Sequence, residues 1–181
     1  EFYTSGRTPN EAAFLYAIFV REFGTNNFPD CSNMCHEPTS RGLPHAIGVG
    51  KGTVVMADFE HAEAIFIIGQ NTGTNTPRMM TNLVEARKRG AAIVAVNPMP
   101  ERALVRFADP QDVVQMVTLG STPVASEFVH IRIGGDLALI KGMMKVIFER
   151  EASGEKIIDQ DFVREHTTGM EAVREDVLAQ T

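Results

Sequence analysis

The sequence is short of the features that mark several common classes of protein. It has two cysteines in 181 residues, too few for a disulfide framework, and this favours a reducing, cytoplasmic location. The net charge of −6 gives no electrostatic reason to expect nucleic acid or an anionic membrane as a partner. The longest apolar run, residues 12–20, is too short to span a bilayer, and no basic segment precedes it as in a signal peptide.

Two familiar nucleotide-binding motifs are missing as well. A Walker A loop needs Gly-Lys followed by Ser or Thr, whereas Lys51 is followed by Gly52. No G-x-G-x-x-G follows either of the first two predicted strands, which argues against a standard NAD site.

The clearest pattern that is present is a βαβ unit. Ala64–Ile68 is a continuous apolar run, typical of a strand buried on both faces. A polar loop follows at residues 69–76, then a helix from Pro77 to Gly90 and a second apolar run at residues 91–96. The sequence therefore predicts an α/β fold, a Rossmann-like open and mostly parallel sheet with helices on both faces.

A third strand is predicted at residues 129–133, where Gly134-Gly135-Asp136 would form a tight turn and cap a long helix. We predict one α/β domain over residues 1–150 and a helical appendage over residues 151–181. The chain opens on a strand-like segment without Met and ends in a helical segment, residues 171–180, so we expect it to be a piece of a longer polypeptide.

Residues 31–52 contain both cysteines, are rich in Gly, Pro, His and Ser, and show no sustained hydrophobic period. They predict a long functional loop, with Cys35-His36 as its leading pair. Two thiols and an imidazole could also form part of a zinc site or a thiol switch, although a fourth ligand is missing. The default for a Cys-His pair is an inert buried thiol beside a surface imidazole.

Polar residues follow the predicted strands at the edge where ligands of open parallel sheets bind. Asn and Thr side chains and free backbone N–H groups ahead of a helix suit a phosphate group, which favours a purine nucleotide. Ordinary turn residues would look the same in any one loop. A non-catalytic nucleotide-binding or regulatory module therefore remains an alternative.

Three stretches, CHEPTSRGL with the G-x-G downstream, IIGQNTGTNTPRMM and AAIVAVNP, together resemble the molybdopterin oxidoreductase family in its formate-dehydrogenase-like branch. The resemblance covers nearly the whole chain. It implies that Cys35 ligates molybdenum or tungsten, that His36 takes part in proton transfer, and that Gly42, Gly48 and Gly50 shape the segment over the metal. The cofactor-binding residues that it implies are Gly69, Asn71, Thr74, Asn75, Asn97, Pro98, Gly134, Gly135 and Asp136.

The same resemblance implies a bis-molybdopterin guanine dinucleotide cofactor, a small-molecule substrate, an electron-transfer partner and contacts with other domains of the same polypeptide. We expect the 181 residues alone to be inactive and to hold no cofactor. The chain departs from the family at Asn97-Pro98-Met99, where Asp-Pro-Arg is usual, and in a longer connection at residues 110–130. It also lacks the four-cysteine iron–sulfur motif that most members carry.

Overall fold

Strand β2 (Ala92–Asn97) is the central strand of an open sheet in the computed structural model, which describes residues 1–179. It pairs in parallel with β1 (Ala64–Ile68) on one side and with β3 (Glu127–His130) on the other. The order β1-β2-β3 and the helices around the sheet confirm the predicted α/β class with a parallel sheet.

The core of this sheet lies between β2 and the helix that precedes it in the chain, α4 (Met79–Lys88), which follows the short α3 (Thr72–Asn75). Burial of apolar side chains here is the main driving force for folding of the sheet. A further short helix, α5 (Arg102–Val105), packs against α3. The buried members of the cluster are Ile67, Met80, Leu83, Val84, Ile93, Ala95, Leu104 and Val124.

The chain divides into two compact units, Glu1–Val55 and the residues from Met56 onward. The first unit holds α1 (Asn10–Glu22), a five-residue π-helical turn (Ser32–His36) and α2 (Glu37–Ile47). Five of its aromatic side chains pack on one another with ring centroids 5.0 to 6.4 Å apart. They are Phe2, Tyr16, Phe19, Phe23 and Phe28.

The prediction of a long loop over residues 31–52 is wrong, because the π-helical turn and α2 cover most of it. Local contacts explain these helices. Glu37 accepts a hydrogen bond from Asn33 Nδ2 at 2.7 Å and lies 3.5 Å from Arg41 one turn on. Gly48 ends α2 in the left-handed conformation, with φ of 79°. No residue of α2 is buried, and the helix contains Pro44 in its interior, a residue that usually breaks a helix, so the sequence indicated a loop.

The chain ends in α7 (Asp136–Ala152), α8 (Gln160–His166) and α9 (Met170–Leu178). Helices α7 and α9 pack together through an ion pair of 2.7 Å between Lys141 and Asp176. The Arg174 guanidinium also lies 5.3 Å from the centroid of the buried Phe148 ring. None of the helices described within residues 1–179 is long and apolar enough to cross a membrane.

The predicted division at residue 150 falls inside α7 and stays a prediction, and residues 180 and 181 of the predicted appendage lie outside the described residues. The prediction that Asp136 caps α7 is wrong. Gly135 occupies the N-cap position, Asp136 is the first helical residue, and no side-chain capping hydrogen bond forms.

The turn after α7 provides a pH-dependent prediction. The Glu151 carboxylate accepts hydrogen bonds from the backbone N–H groups of Ile158 and Ile157 and from the Gln160 amide, and these hold its pKa below the ordinary value of 4.5. A lowered pKa means that the carboxylate stabilises the fold above about pH 4.5 and that this contribution is lost as the pH falls further.

We therefore expect Glu151→Gln to lower the thermal unfolding midpoint at pH 7, with a smaller difference from wild type at about pH 3. Glu149→Gln is the matched control, because the Glu149 side chain is exposed and forms no hydrogen bond among the described residues. A difference for Glu151→Gln that is constant between the two pH values would contradict the prediction. Thermal unfolding followed by circular dichroism is the measurement.

Candidate functional site

The predicted Cys35-His36 pair lies on the π-helical turn Ser32–His36. The turn is closed by a hydrogen bond from the Glu37 N–H to the Ser32 carbonyl, five residues back. Short π-helical segments are rare and occur frequently at functional sites. Both side chains are exposed, and within residues 1–179 neither forms a hydrogen bond or an ion pair. The thiol and the imidazole are thus free to meet a ligand from solvent.

Cys31 has a different environment from Cys35. Its Sγ accepts a hydrogen bond from the Gly6 N–H at 3.1 Å, and a Cβ placed on Gly6 would lie only 2.7 Å from that sulfur. Both cysteines are free thiols. Across the described residues, no group of three or more His, Cys, Asp or Glu side chains could hold a metal ion. The protein side chains by themselves therefore provide no zinc site in this part of the chain.

The three predicted glycines of the first unit have unequal environments. Gly42 lies within α2 with open space around it, and Gly48 is the left-handed residue that ends the helix. Gly50 lies close to the helix, since a Cβ there would be 3.1 Å from the Ser40 carbonyl oxygen. Only Gly50 thus marks a close approach between two segments of backbone.

In the second unit, the loop after β1 is fixed by backbone hydrogen bonds. The Gly69 N–H donates to the Val96 carbonyl at 2.9 Å, and Gly69 itself has a φ of 66°. Asn71 caps α3 by accepting a hydrogen bond from the Thr74 N–H at 3.2 Å. Asn75 is the last residue of α3 and is exposed. The polar residues predicted in this loop therefore hold a single helical turn at the carboxyl end of β1.

Asn97 connects the loops that follow the first two strands. It is the last residue of β2 and is 4% exposed, and its Nδ2 donates to the Gln70 carbonyl at 3.3 Å. An Asp carboxylate at this position could not donate this hydrogen bond and would bury a charge. The amide therefore fits a structural role in this chain, where the resembling family usually has Asp. Pro98 follows it and is exposed.

The third predicted loop follows β3, whose last residue, His130, pairs with Asn97. Gly134 has a φ of 82°, in the left-handed region that favours glycine. The Gly135 N–H donates to the Arg132 carbonyl at 2.8 Å, and a Cβ on Gly135 would lie 3.0 Å from that oxygen. These two glycines allow the tight turn that brings Asp136 to the start of α7.

A cleft of about 300 Å³ beside the β1 loop is lined by charged residues that sequence reasoning missed, Glu101 among them. Asn71 and Thr74 line it together with Arg102 and Arg106. The Arg106 Nε donates to the Ser121 hydroxyl at 2.7 Å, whereas the Arg102 side chain forms no hydrogen bond or ion pair within the described chain. Both arginines follow the carboxyl end of β2 with a spacing of four, the signal that could have identified them. The cleft does not include Asn97, Gly134 or Asp136.

No protein-family model matches the chain. Among curated proteins it is 55% identical over 183 residues to Protein YdeP of Escherichia coli K12 and 52% identical over 178 residues to Uncharacterized oxidoreductase Rv2900c of Mycobacterium tuberculosis H37Rv. These alignments cover 98% of this chain but only 24% and 23% of the relatives. A third relative, F420-dependent formate dehydrogenase 1 subunit alpha of Methanococcus maripaludis, is 28% identical over 177 residues, which are 96% of this chain and 22% of that protein.

Among solved structures, acetylene hydratase from Pelobacter acetylenicus superposes with a TM-score of 0.58 at 23% identity, over 90% of this chain and 19% of that one. This likeness supports the fold. The fold and the site define a segment of the α/β class with an open parallel sheet. More particularly, its homologues include proteins named as an oxidoreductase and as formate dehydrogenase alpha subunits, and the chain spans about a quarter of the length of these relatives.

The buried Asn97 amide provides a direct test of the link between the two loops. We expect Asn97→Asp to lower the free energy of unfolding by about 1–3 kcal/mol, because the Gln70 carbonyl loses its donor and a carboxylate becomes buried. Asn75→Asp is the matched control, because the Asn75 side chain is exposed and makes no hydrogen bond among the described residues. Equal losses of stability for the two variants in urea unfolding would contradict the structural role of Asn97.

Proposed function

We propose that the chain is the α/β segment of a molybdenum- or tungsten-dependent oxidoreductase of the molybdopterin family, formate-dehydrogenase-like, with Cys35 as metal ligand and His36 in proton transfer. The observation that carries the proposal is the exposed Cys35-His36 pair on a π-helical turn, within a sequence that resembles the family's C-H-x-P-S/T-x-x-G segment. The relatives named as an oxidoreductase and as formate dehydrogenase alpha subunits support the same reaction class.

The donor set of the first unit fits this group. A thiolate is a soft ligand suited to a heavy metal bound by other sulfur atoms, and Cys35 is an exposed thiol that forms no disulfide or hydrogen bond within residues 1–179. Because no cluster of three protein ligands occurs among the described residues, the remaining donors would come from the cofactor itself. This argument favours a pterin-bound metal over the zinc alternative, which needs about four protein ligands.

His36 follows the proposed ligand directly in the chain, and its imidazole is exposed. An unprotonated imidazole nitrogen at this position could accept a proton as the substrate is oxidised. When bound, the cofactor would supply the two-electron redox chemistry. The contribution of the chain is then to ligate the metal, to accept the proton and to orient the dinucleotide.

For the dinucleotide we propose the polar loops of the second unit. The glycines at positions 69, 134 and 135 permit close approach to the backbone, and the amides and hydroxyls near α3 offer hydrogen bonds. Arg102, which has no partner within residues 1–179, would add a cation for a phosphate group. Asn97 and Pro98 would contribute by fixing the adjoining loop, and Asp136 by its place at the start of α7.

The alternative function is a non-catalytic nucleotide-binding module. Metal analysis of the full-length protein distinguishes it from a metal-dependent oxidoreductase. In the full-length protein we expect Cys35→Ala to abolish formate oxidation with an artificial electron acceptor while the fold is retained, because a soft metal site loses its protein ligand. X-ray absorption at the metal edge should show one sulfur ligand fewer, a result that does not depend on the choice of substrate.

The matched control is Cys31→Ser, whose hydroxyl can still accept the hydrogen bond from the Gly6 N–H and should leave activity and the metal-edge spectrum unchanged. An unchanged metal-edge spectrum in Cys35→Ala would exclude Cys35 as the ligand. Wild-type protein without molybdenum or tungsten would favour the non-catalytic module, and about one zinc per chain would favour the zinc alternative.

For His36 we expect His36→Gln to lower turnover on the order of 10²–10⁴-fold with metal content unchanged, because a positioned proton acceptor typically contributes that much. His45→Gln is a suitable control, since His45 is another exposed histidine of the same unit. Turnover and metal content should be measured on the same preparations. A parallel fall in both quantities would make His36 a structural support rather than a proton acceptor.

A further inference from the structure

The long connection between α5 and β3 folds into a stem and a tip. In the stem, Phe107 and Thr122 exchange two backbone hydrogen bonds, each 2.8 Å long. Arg106 holds the same two chain segments together by donating to the hydroxyl and the carbonyl of Ser121. The buried Val124 anchors the end of the stem in the core of the sheet.

The stem carries α6 (Val113–Thr118), which is fixed by an internal polar network. Asp112 caps the helix by accepting from the N–H groups of Val114 and Gln115 at 3.0 and 3.1 Å. The Gln115 amide donates to Asp112 at 2.8 Å and to Thr122 at 3.3 Å, and its oxygen accepts from the Asp109 N–H at 3.3 Å. With these groups satisfied, the connection has a defined backbone conformation.

The tip that this frame presents is apolar. Val117 is 78% exposed and Leu119 is 91% exposed, and no charged residue occurs from Val113 to Gly120. Contiguous exposed apolar side chains on a well-ordered backbone mark interaction sites. We call this surface the 113–119 tip, and its members are Val113, Val114, Met116, Val117 and Leu119.

Leu119 has an unfavourable backbone conformation as well. With a φ of 55° it is the sole non-glycine residue of the described chain with a positive φ, and it ends α6 where glycine is usual. The left-handed conformation is costly for an L-residue other than Gly, Asn or Asp. Stability of the connection alone would favour Gly at this position, so the retained Leu side chain points to a role outside the connection.

We propose that the 113–119 tip docks against an apolar surface in another part of the same polypeptide, outside these 181 residues. Relatives that match 98% of this chain at 52–55% identity are about four times as long, because the matched segment is 23–24% of their length. The occupant is thus a covalently linked segment, and its surface is uncharged and apolar like the tip. The inference does not depend on the proposed redox function.

The size of the tip favours an intramolecular partner over a second copy of the chain. A stable interface between separate proteins uses about 20–30 residues from each side, whereas the tip offers five apolar side chains. Linked segments meet at effective concentrations in the millimolar range, so a small contact suffices.

A photo-crosslinking amino acid in place of Val117, in the full-length protein, tests the proposal. The expected result is crosslinking within a single polypeptide, to peptides outside the 181 residues. The same probe in place of Glu175, an exposed polar position on α9, should give much less product. Crosslinks to an isotopically labelled second copy, crosslinks within the 181 residues, or equal yields from the two positions would overturn the proposal.

Two substitutions at Leu119 provide an independent test. Leu119→Gly and Leu119→Asn both relieve the left-handed strain, and Asn does so without the flexibility of Gly. If the tip is docked, both variants should speed hydrogen exchange at residues 113–119 of the full-length protein on the order of tenfold, since each loses one buried Leu side chain. Unchanged or slower exchange in Leu119→Asn would show that Leu119 faces solvent, and would overturn the docking.

Discussion

The central strand β2 needs backbone partners on both edges and apolar cover on its side chains, and the layout of the second unit follows from this need. Both neighbours run parallel to it, so the three strands end at one edge of the sheet. The chain must therefore place its polar loops side by side there. The Asn97 amide ties two of these loops together from a buried position, so that a strand end and a loop are fixed by one side chain.

The two units are stabilised in different ways. In the second unit, burial around Leu83 and Ile93, both fully buried, positions the sheet and its loops. In the first unit, the segment that carries Cys35 and His36 has no buried residue and is held by local hydrogen bonds and helix ends. Stabilisation by local hydrogen bonds leaves the Cys35 thiol exposed. This suits chemistry at the thiol, because a buried thiol could not meet an external ligand.

The difference in stabilisation between the two units also explains which elements could be predicted from the sequence. Strand β1 was predicted with its observed bounds, and β2 within one residue, because buried parallel strands have a continuous apolar signature. The helical residues 32–47 were missed because they include Pro38, Gly42 and Pro44, which usually mark loops, while local contacts such as the hydrogen bond from Asn33 to Glu37 support the helix. Arg102 was missed for another reason, since its approach to Asn71 depends on how α5 packs against α3. The roles assigned to Cys35 and His36 came from a resemblance, and local physics alone left them open.

The π-helical turn has an evolutionary consequence. Such a turn contains one residue more than a turn of α-helix, and each residue of an α-helix advances the chain by about 100° around the axis. Gain or loss of one codon between Ser32 and Met34 would therefore rotate the preceding residue, Cys31, by about that angle relative to Cys35 and α2. The angle between the two cysteine positions around the helix axis is a trait that a single insertion or deletion can change in one step, whereas a point substitution leaves it in place.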